Sequence, residues 1–314
     1  MHIRSEEMIR HLAWPDLIEA LRRQFKAGCE VPERHHHSMQ VPGSPDATML
    51  LMPAWQSGER IGVKLVNVFP SNTKVNLPSI TADYLLYDGK TGQNLAMMDG
   101  AVITSRRTAA AAALGAKFLS RENSETLFLV GAGRVASLVP EAMRTVRPIK
   151  KVLVWDLYEE SAHKLVDRLS SEGFEARVQL DLESGTRSAD IISCATLSKE
   201  PLIRGAWLAP GQHLDLIGSF TPDMRETDDE AMRIASVYVD IDTALTESGD
   251  MIEPLRNGAI TEADIKGDLA ALCRETAVGR TKNSAITLFK AVGSALEDLA
   301  AASLIYDKGS IAKF

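Results

Sequence analysis

Three groups of residues have types and spacings that could do chemistry. The first is Gly131-Ala132-Gly133-Arg134-Val135-Ala136, directly after the apolar run Leu127–Val130. In this GxGxxA pattern the first glycine makes a tight turn and the second lets the backbone approach a pyrophosphate. The small last residue lets a helix pack close to a strand. A helix opening there offers free N–H groups and a partial positive charge to phosphate. Asp156, twenty residues beyond Ala136, ends the next apolar run, where a carboxylate takes the adenosine ribose hydroxyls of a dinucleotide. An acid at that place favours NAD(H) and repels a 2′-phosphate. Arg134 and Lys164 soften that preference, so the expected cofactor is NAD(H) or NADP(H).

The second group is cationic. Lys64 lies inside the strand-like GVKLVNVF, between Val63 and Leu65, where a lysine either faces water or points into a cleft. Arg106 and Arg107 fall in TSRRTAAAAALGAKF, a helix by propensity with Thr104 or Ser105 as its cap. A cation in the first turn opposes the helix dipole unless an anion bridges them. The pair therefore suggests a carboxylate or phosphate site. The third group is Arg34 with His35, His36 and His37. Successive residues of an extended chain point to alternate faces, and no HxxxH or Cys/His set accompanies them. The segment reads as a polar loop or as part of a substrate pocket, with no metal. Cys29, Cys194 and Cys273 form no CxxC, and an odd, sparse count fits free thiols in a reducing cytoplasm.

The elements that must position these groups differ along the chain. WPDLIEALRRQF places Leu17, Ile18, Leu21 and Phe25 on one helical face, with Pro15 at the helix start. TMLLMPAW and RIGVKLVNVFP read as strands, and YLLYDGKTGQNLAMMDG as a hairpin turning at DGKTG. From about residue 126 the pattern changes to short apolar strands alternating with helices: TLFLV, KVLVW, ARVQL, DIISCAT, HLDLIGS and VYVDI. That alternation predicts an α/β fold with a doubly wound parallel sheet of Rossmann type. NSAITLFKAVGSALEDLAAASLIYD reads as one long amphipathic stretch that packs back on the first part. The expected organisation is a dinucleotide-binding domain at 119–282, inserted into a second, α+β domain of 1–118 plus 283–314.

At 314 residues, two domains are the ordinary expectation. The 35 Lys+Arg against 42 Asp+Glu leave a net charge of −7, without the basic stripe of a nucleic-acid or acidic-membrane binder. No apolar run approaches membrane-spanning length. The start, MHIRSEEMIRHLAW, has charges where a signal peptide is apolar, so a cytoplasmic protein is expected.

Taken together, GVKLVNVFP, SRRTAAAAALGAKFL, FLVGAGRVA, SCATLSKEPLI, IGSFTPDMRE and ITLFKAVGSALEDLAAA resemble the ornithine cyclodeaminase/μ-crystallin family over nearly the whole chain. The resemblance implies an inserted Rossmann domain and a second domain that binds substrate and makes a homodimer. It implies that a lysine and two arginines grip a substrate carboxylate, and on matching motifs these are Lys64, Arg107 and Arg34. Thr108, Ala195 and Thr196 join Gly131–Ala136 and Asp156 in the cofactor set.

One departure bears on the chemistry. Ornithine cyclodeaminases carry an aspartate in a G-G-D-x-P-G-K-type loop, and the matching stretch here is Gly218-Ser219-Phe220-Thr221-Pro222-Asp223-Met224. Phe220 stands in the aspartate's place, and a phenyl ring neither orients nor deprotonates an ammonium. The resemblance then points to the reductases of the family. These include the bacterial Δ1-pyrroline-2-carboxylate reductases, which make L-proline in trans-3-hydroxy-L-proline breakdown, and members that reduce Δ1-piperideine-2-carboxylate to L-pipecolate. Phe220 would cover the ring carbons of such a cyclic imino acid. The proton for the imine has three candidate sources: Lys64, His36 or water. An ornithine cyclodeaminase, an L-alanine or other amino-acid dehydrogenase, and a non-catalytic NAD(P)H-binding μ-crystallin-like protein are the alternatives.

Overall fold

The computed structural model describes residues 2–311. They form two compact units, one running to Arg107 and resuming at Ser294, the other spanning Thr108–Gly293. In the first unit β1 (His2–Ile3), α1 (Ser5–His11) and α2 (Trp14–Ala27) precede β2 (His35–Met39), β3 (Ala47–Gln56), β4 (Arg60–Val68), β5 (Ile80–Asp88) and β6 (Asn94–Asp99). The sheet order is β1-β6-β5-β4-β3-β2, antiparallel except for the β1–β6 pair. Alternation sorts the side chains. Met52, Ala54, Lys64, Tyr84, Leu86 and Met98 are buried, whereas Leu51, Trp55, Val63, Leu65 and Leu85 on the other face are half-buried. The C-terminal helix, Ala295–Ile311, packs on β3 to β6 and on α2. At the DGKTG turn Asp88 accepts the N–H groups of Lys90 and Thr91, which fixes the β5–β6 hairpin.

α3 (Gly100–Leu119) starts four residues earlier than Thr104. Its cap is Asp99, whose Oδ1 accepts Ala101 N–H at 2.8 Å and Val102 N–H at 3.2 Å. The hydroxyls of Thr104 and Ser105 instead bond back to the carbonyls of Gly100 and Ala101, as they do inside a helix. Arg107 is therefore two turns into the helix rather than in its first turn.

The second unit is an eight-stranded parallel sheet in the order β13-β12-β14-β11-β10-β7-β8-β9. Its elements are β7 (Thr126–Val130), α4 (Val139–Val146), β8 (Lys151–Trp155), α5 (Glu159–Ser171), β9 (Glu175–Val178), α6 (Leu182–Ser188) and β10 (Ile191–Cys194). Then come β11 (His213–Leu216), α7 (Asp229–Ile234), β12 (Ser236–Val239), α8 (Ala244–Glu247), α9 (Gly249–Arg256), β13 (Ile265–Asp268), α10 (Leu269–Cys273) and β14 (Thr287–Lys290). The central strands are continuous buried runs, as a sheet covered on both faces requires. The order reverses between β7 and β10, the switch point of a doubly wound fold.

The two units divide at 107/108 and 293/294, where the sequence reading places the joins at 118/119 and 282/283. TLFK, which reads as the start of a long helix, is β14, paired with β11 and β12. All four of its residues are buried, so it lacks the alternation that marks a half-exposed strand, and it merges in sequence with the apolar helix that follows.

The sheet interior also holds Asp215, whose Oδ2 accepts the Ser193 hydroxyl at 2.5 Å. Burial pushes its carboxyl up to about 7, against the hydrogen bond from Ser193. A carboxyl raised in the folded state destabilises the fold as pH climbs from its unfolded value to its folded one, and the penalty then stays constant. Asp215→Asn, neutral at every pH, should match the wild type near the unfolded carboxylate pKa and gain stability over it as pH rises to neutrality. Urea denaturation at acid and neutral pH checks this, and a stability difference that does not grow with pH would contradict it.

Candidate active site

In the first unit the structure brings together two of the expected cations. Lys64, only 2% exposed, places Nζ 2.6 Å from Oδ2 of Asp298 and 3.3 Å from the Thr104 hydroxyl. Arg107, 5% exposed, donates Nε–H to the other oxygen of Asp298 at 3.0 Å and Nη1–H to Glu297 at 2.8 Å. Neither bond uses Nη2. Strand β4 supplies the lysine, α3 the arginine, and the C-terminal helix the two acids. Burial would strip charge from both cations. It wins at Lys64, whose pKa is lowered despite Asp298. It loses at Arg107, where Glu297 and Asp298 together raise the pKa. Burial also opposes the charge on Asp298, but Lys64 and Arg107 outweigh it and hold the carboxyl below its usual range. Asp298 is thus an anion fixed between two cations. The anion that the arginine pair called for in sequence is in part this carboxylate.

Arg34 and His36 are placed differently. Arg34 is half-buried in the extended segment before β2. His36 is exposed on β2 and pairs with Leu50, which pairs with Val66, so by register it shares the sheet face of Lys64. Arg106 lies outside the cation pair: its guanidinium stacks 4.1 Å from the Trp14 ring and donates to the Leu12 carbonyl.

The second unit carries the dinucleotide pattern. Gly131 follows β7 at φ +109°, and a Cβ there would lie 2.7 Å from the Ala195 carbonyl oxygen. Only glycine fits. At Gly133 a Cβ would meet nothing within 4 Å, so the exposed backbone there has open space for a ligand. Ala132 is half-buried, Arg134 is exposed, Val135 is half-buried, and Ala136 is fully buried at the start of a helical turn, Ala136–Leu138, that leads into α4. Asp156 directly follows β8. Its Oδ2 accepts Ala132 N–H at 2.7 Å and its Oδ1 accepts Tyr158 N–H at 2.8 Å. The acid is therefore held beside the glycine loop by backbone donors. This loop fits a dinucleotide: close backbone at Gly131, open space at Gly133 and a fixed carboxylate at the next strand end.

Thr108 is half-buried on α3, and Ala195 and Thr196 follow β10. Phe220 is 45% exposed in the loop after β11, while Asp223 is paired with Lys199 at 2.6 Å and turned to the surface. Among the described residues, no three His, Cys, Asp or Glu side chains are grouped to hold a metal, and no helix is long and apolar enough to cross a membrane.

Sequence reasoning missed Glu297, Asp298 and Thr104 as partners of the cations. The signal was present: adjacent acids in ALEDLAAA stand in a run otherwise apolar, and buried acids need partners. It also missed Glu226, Asp250 and Lys290, all fully buried.

The model of the ornithine cyclodeaminase/mu-crystallin family matches residues 1–312. A Δ1-pyrroline-2-carboxylate reductase of Paracoccus denitrificans is 38% identical, over 94% of this chain and 92% of its own. The Thermococcus litoralis Δ1-pyrroline-2-carboxylate reductase, solved with NADH and L-proline, superposes with a TM-score of 0.92 at 34% identity, over 100% of this chain and 98% of its own. An archaeal alanine dehydrogenase dimer with bound NAD gives a TM-score of 0.90 at 28% identity, over 100% and 97%. With a family match along the chain, a shared fold and a dinucleotide loop of matching form, the chain belongs to the ornithine cyclodeaminase/mu-crystallin family.

Proposed function

We propose that this chain is an NAD(P)H-dependent ketimine reductase that converts Δ1-pyrroline-2-carboxylate to L-proline, with Δ1-piperideine-2-carboxylate to L-pipecolate as the six-membered counterpart and trans-3-hydroxy-L-proline breakdown as the context. The observation that carries the reading is the buried pair Lys64 and Arg107 on one carboxylate. Charged donors fixed in this way suit a small substrate with a carboxylate, through charge-assisted hydrogen bonds. Phe220 supports a reductase over a cyclodeaminase, because its exposed ring offers apolar contact to ring carbons and no base.

In this reading Arg107, with Lys64 and Arg34, binds the substrate carboxylate and orients the imine, and orientation accounts for much of the rate. Gly131–Ala136, Asp156, Thr108, Ala195 and Thr196 would hold the cofactor, which when bound would supply the hydride for the imine carbon. Lys64 gives a proton to the imine nitrogen and regains one from water. Its burial, which lowers the pKa, makes its ammonium a readier acid than a lysine in solvent. His36 is exposed and stands as an outer contact. Asp156 makes NADH the preferred reductant, since a fixed carboxylate repels a 2′-phosphate.

The homodimer forms, in the same reading, through the half-buried face of the first unit's sheet, where Leu51, Trp55, Val63, Leu65 and Leu85 stand together.

Turnover, variant kinetics and light scattering test this. Loss of NADH absorbance should be rapid with Δ1-pyrroline-2-carboxylate and slower with NADPH as reductant, and absent with pyruvate plus ammonia. L-ornithine should give no proline. Arg107→Met should lower kcat/KM for the imine by about 10- to 100-fold, the loss of a charged hydrogen-bond donor, while NADH still binds. Turnover only with pyruvate and ammonia, proline from ornithine, or unchanged kinetics of the variant would contradict the reading. Light scattering should give twice the chain mass of 34.2 kDa, and Leu65→Glu should give the single-chain mass. A monomeric wild type would contradict the dimer.

A further inference from the structure

Glu226 has no exposure to solvent and no part in the roles described so far. One of its oxygens accepts the N–H of Thr196 at 2.7 Å and the Thr196 hydroxyl at 2.8 Å. The other accepts the N–H of Gly218 at 2.7 Å. Thr196 and Gly218 each stand two residues past the end of a strand, β10 and β11, so one carboxylate ties two adjacent strand-end loops. The fit is close. A Cβ at Gly218 would lie 2.2 Å from the Thr196 carbonyl oxygen and 2.3 Å from Glu226 Oε1. The Thr196 loop in turn abuts the glycine loop, since a Cβ at Gly131 would lie 3.3 Å from Thr196 Cγ2.

Glu226 is itself held. Asp250 Oδ1 accepts the Glu226 N–H at 2.8 Å, and Lys290 Nζ lies 3.6 Å from Asp250 Oδ2 and donates to the Leu216 carbonyl at 3.2 Å. A buried carboxylate is costly unless its oxygens are satisfied, and this one is satisfied by the loops it joins. The sheet order adds direction. Asp156 follows β8 on one side of β7, while Thr196 and Gly218 follow β10 and β11 on the other. A dinucleotide lies across the switch point with the acid on its adenosine ribose, which puts the nicotinamide half on the β10–β11 side.

We propose that Glu226 is a positioning residue for the nicotinamide half of the cofactor, acting through the Thr196 and Gly218 loops; this rests on the NAD(P)H reading above. Glu226→Gln keeps the size but turns one acceptor into a donor, so it cannot hold both loops. Thr196→Val removes one of the three bonds with no change in charge, and it carries the test if the glutamine variant fails to fold. Calorimetric titration with NADH and with ADP-ribose, which lacks the nicotinamide, separates the two halves. Glu226→Gln should bind NADH about tenfold more weakly, the loss of roughly one hydrogen bond to a charged group, and Thr196→Val should show a smaller loss. Both should bind ADP-ribose as the wild type does. Variants that bind NADH like the wild type, or that lose NADH and ADP-ribose affinity equally, would overturn this inference alone. A wild-type chain that binds ADP-ribose but neither NADH nor NADPH would overturn the cofactor reading and this inference with it.

Discussion

Asp298 spends each of its two oxygens on a different cation, Lys64 at 2.6 Å and Arg107 at 3.0 Å. Removing either cation leaves buried charge uncompensated, a loss of about 3–5 kcal/mol for a buried pair. The arrangement requires three segments far apart in sequence to meet: β4, the first half of α3 and the C-terminal helix. The chain's last helix accordingly belongs to the first unit, and the parallel-sheet unit lies in sequence between that unit's two parts. Glu297 supplies a second carboxylate at 2.8 Å from Arg107, so two acids balance two cations in a place water barely reaches.

The second unit meets a different constraint. Its strand-end loops must come close without side chains in the way. Gly131 meets it by conformation, with a positive φ that other residues rarely adopt. Gly218 meets it by size, because the space a Cβ would fill already holds the Thr196 backbone and the Glu226 carboxylate. Both glycines serve contacts between neighbouring loops, whereas Gly133 faces open space, where the proposed cofactor would lie.

Much of this was legible in the sequence where the signal is local. The run TLFLVGAGRVA announces strand, turn and helix within eleven residues, and the structure builds those elements. The place of Asp156 at the end of the next strand was legible because it is counted from the glycines. What was not legible depended on partners far along the chain. Asp99 caps α3 in place of Thr104 or Ser105, since all three are residues a cap accepts and only the hairpin's length selects among them. β14 was hidden because a strand buried on both faces shows no alternation. The pairing of Lys64 with Asp298 spans most of the chain, and neither residue's neighbours in sequence report it. Glu226 was invisible for a related reason: an acid after an arginine in a polar loop looks solvated, and only the meeting of β10 and β11 buries it.

The central claim is that the buried cations recognise a carboxylate on a small cyclic ligand. Calorimetric titration of the intact protein, in the presence of NAD+, with L-proline and with L-prolinamide tests it most directly, because the two ligands differ only in that group. The account predicts that L-proline binds and that L-prolinamide, with a neutral amide facing Lys64 and Arg107, does not bind measurably. Equal affinity for the two would contradict it.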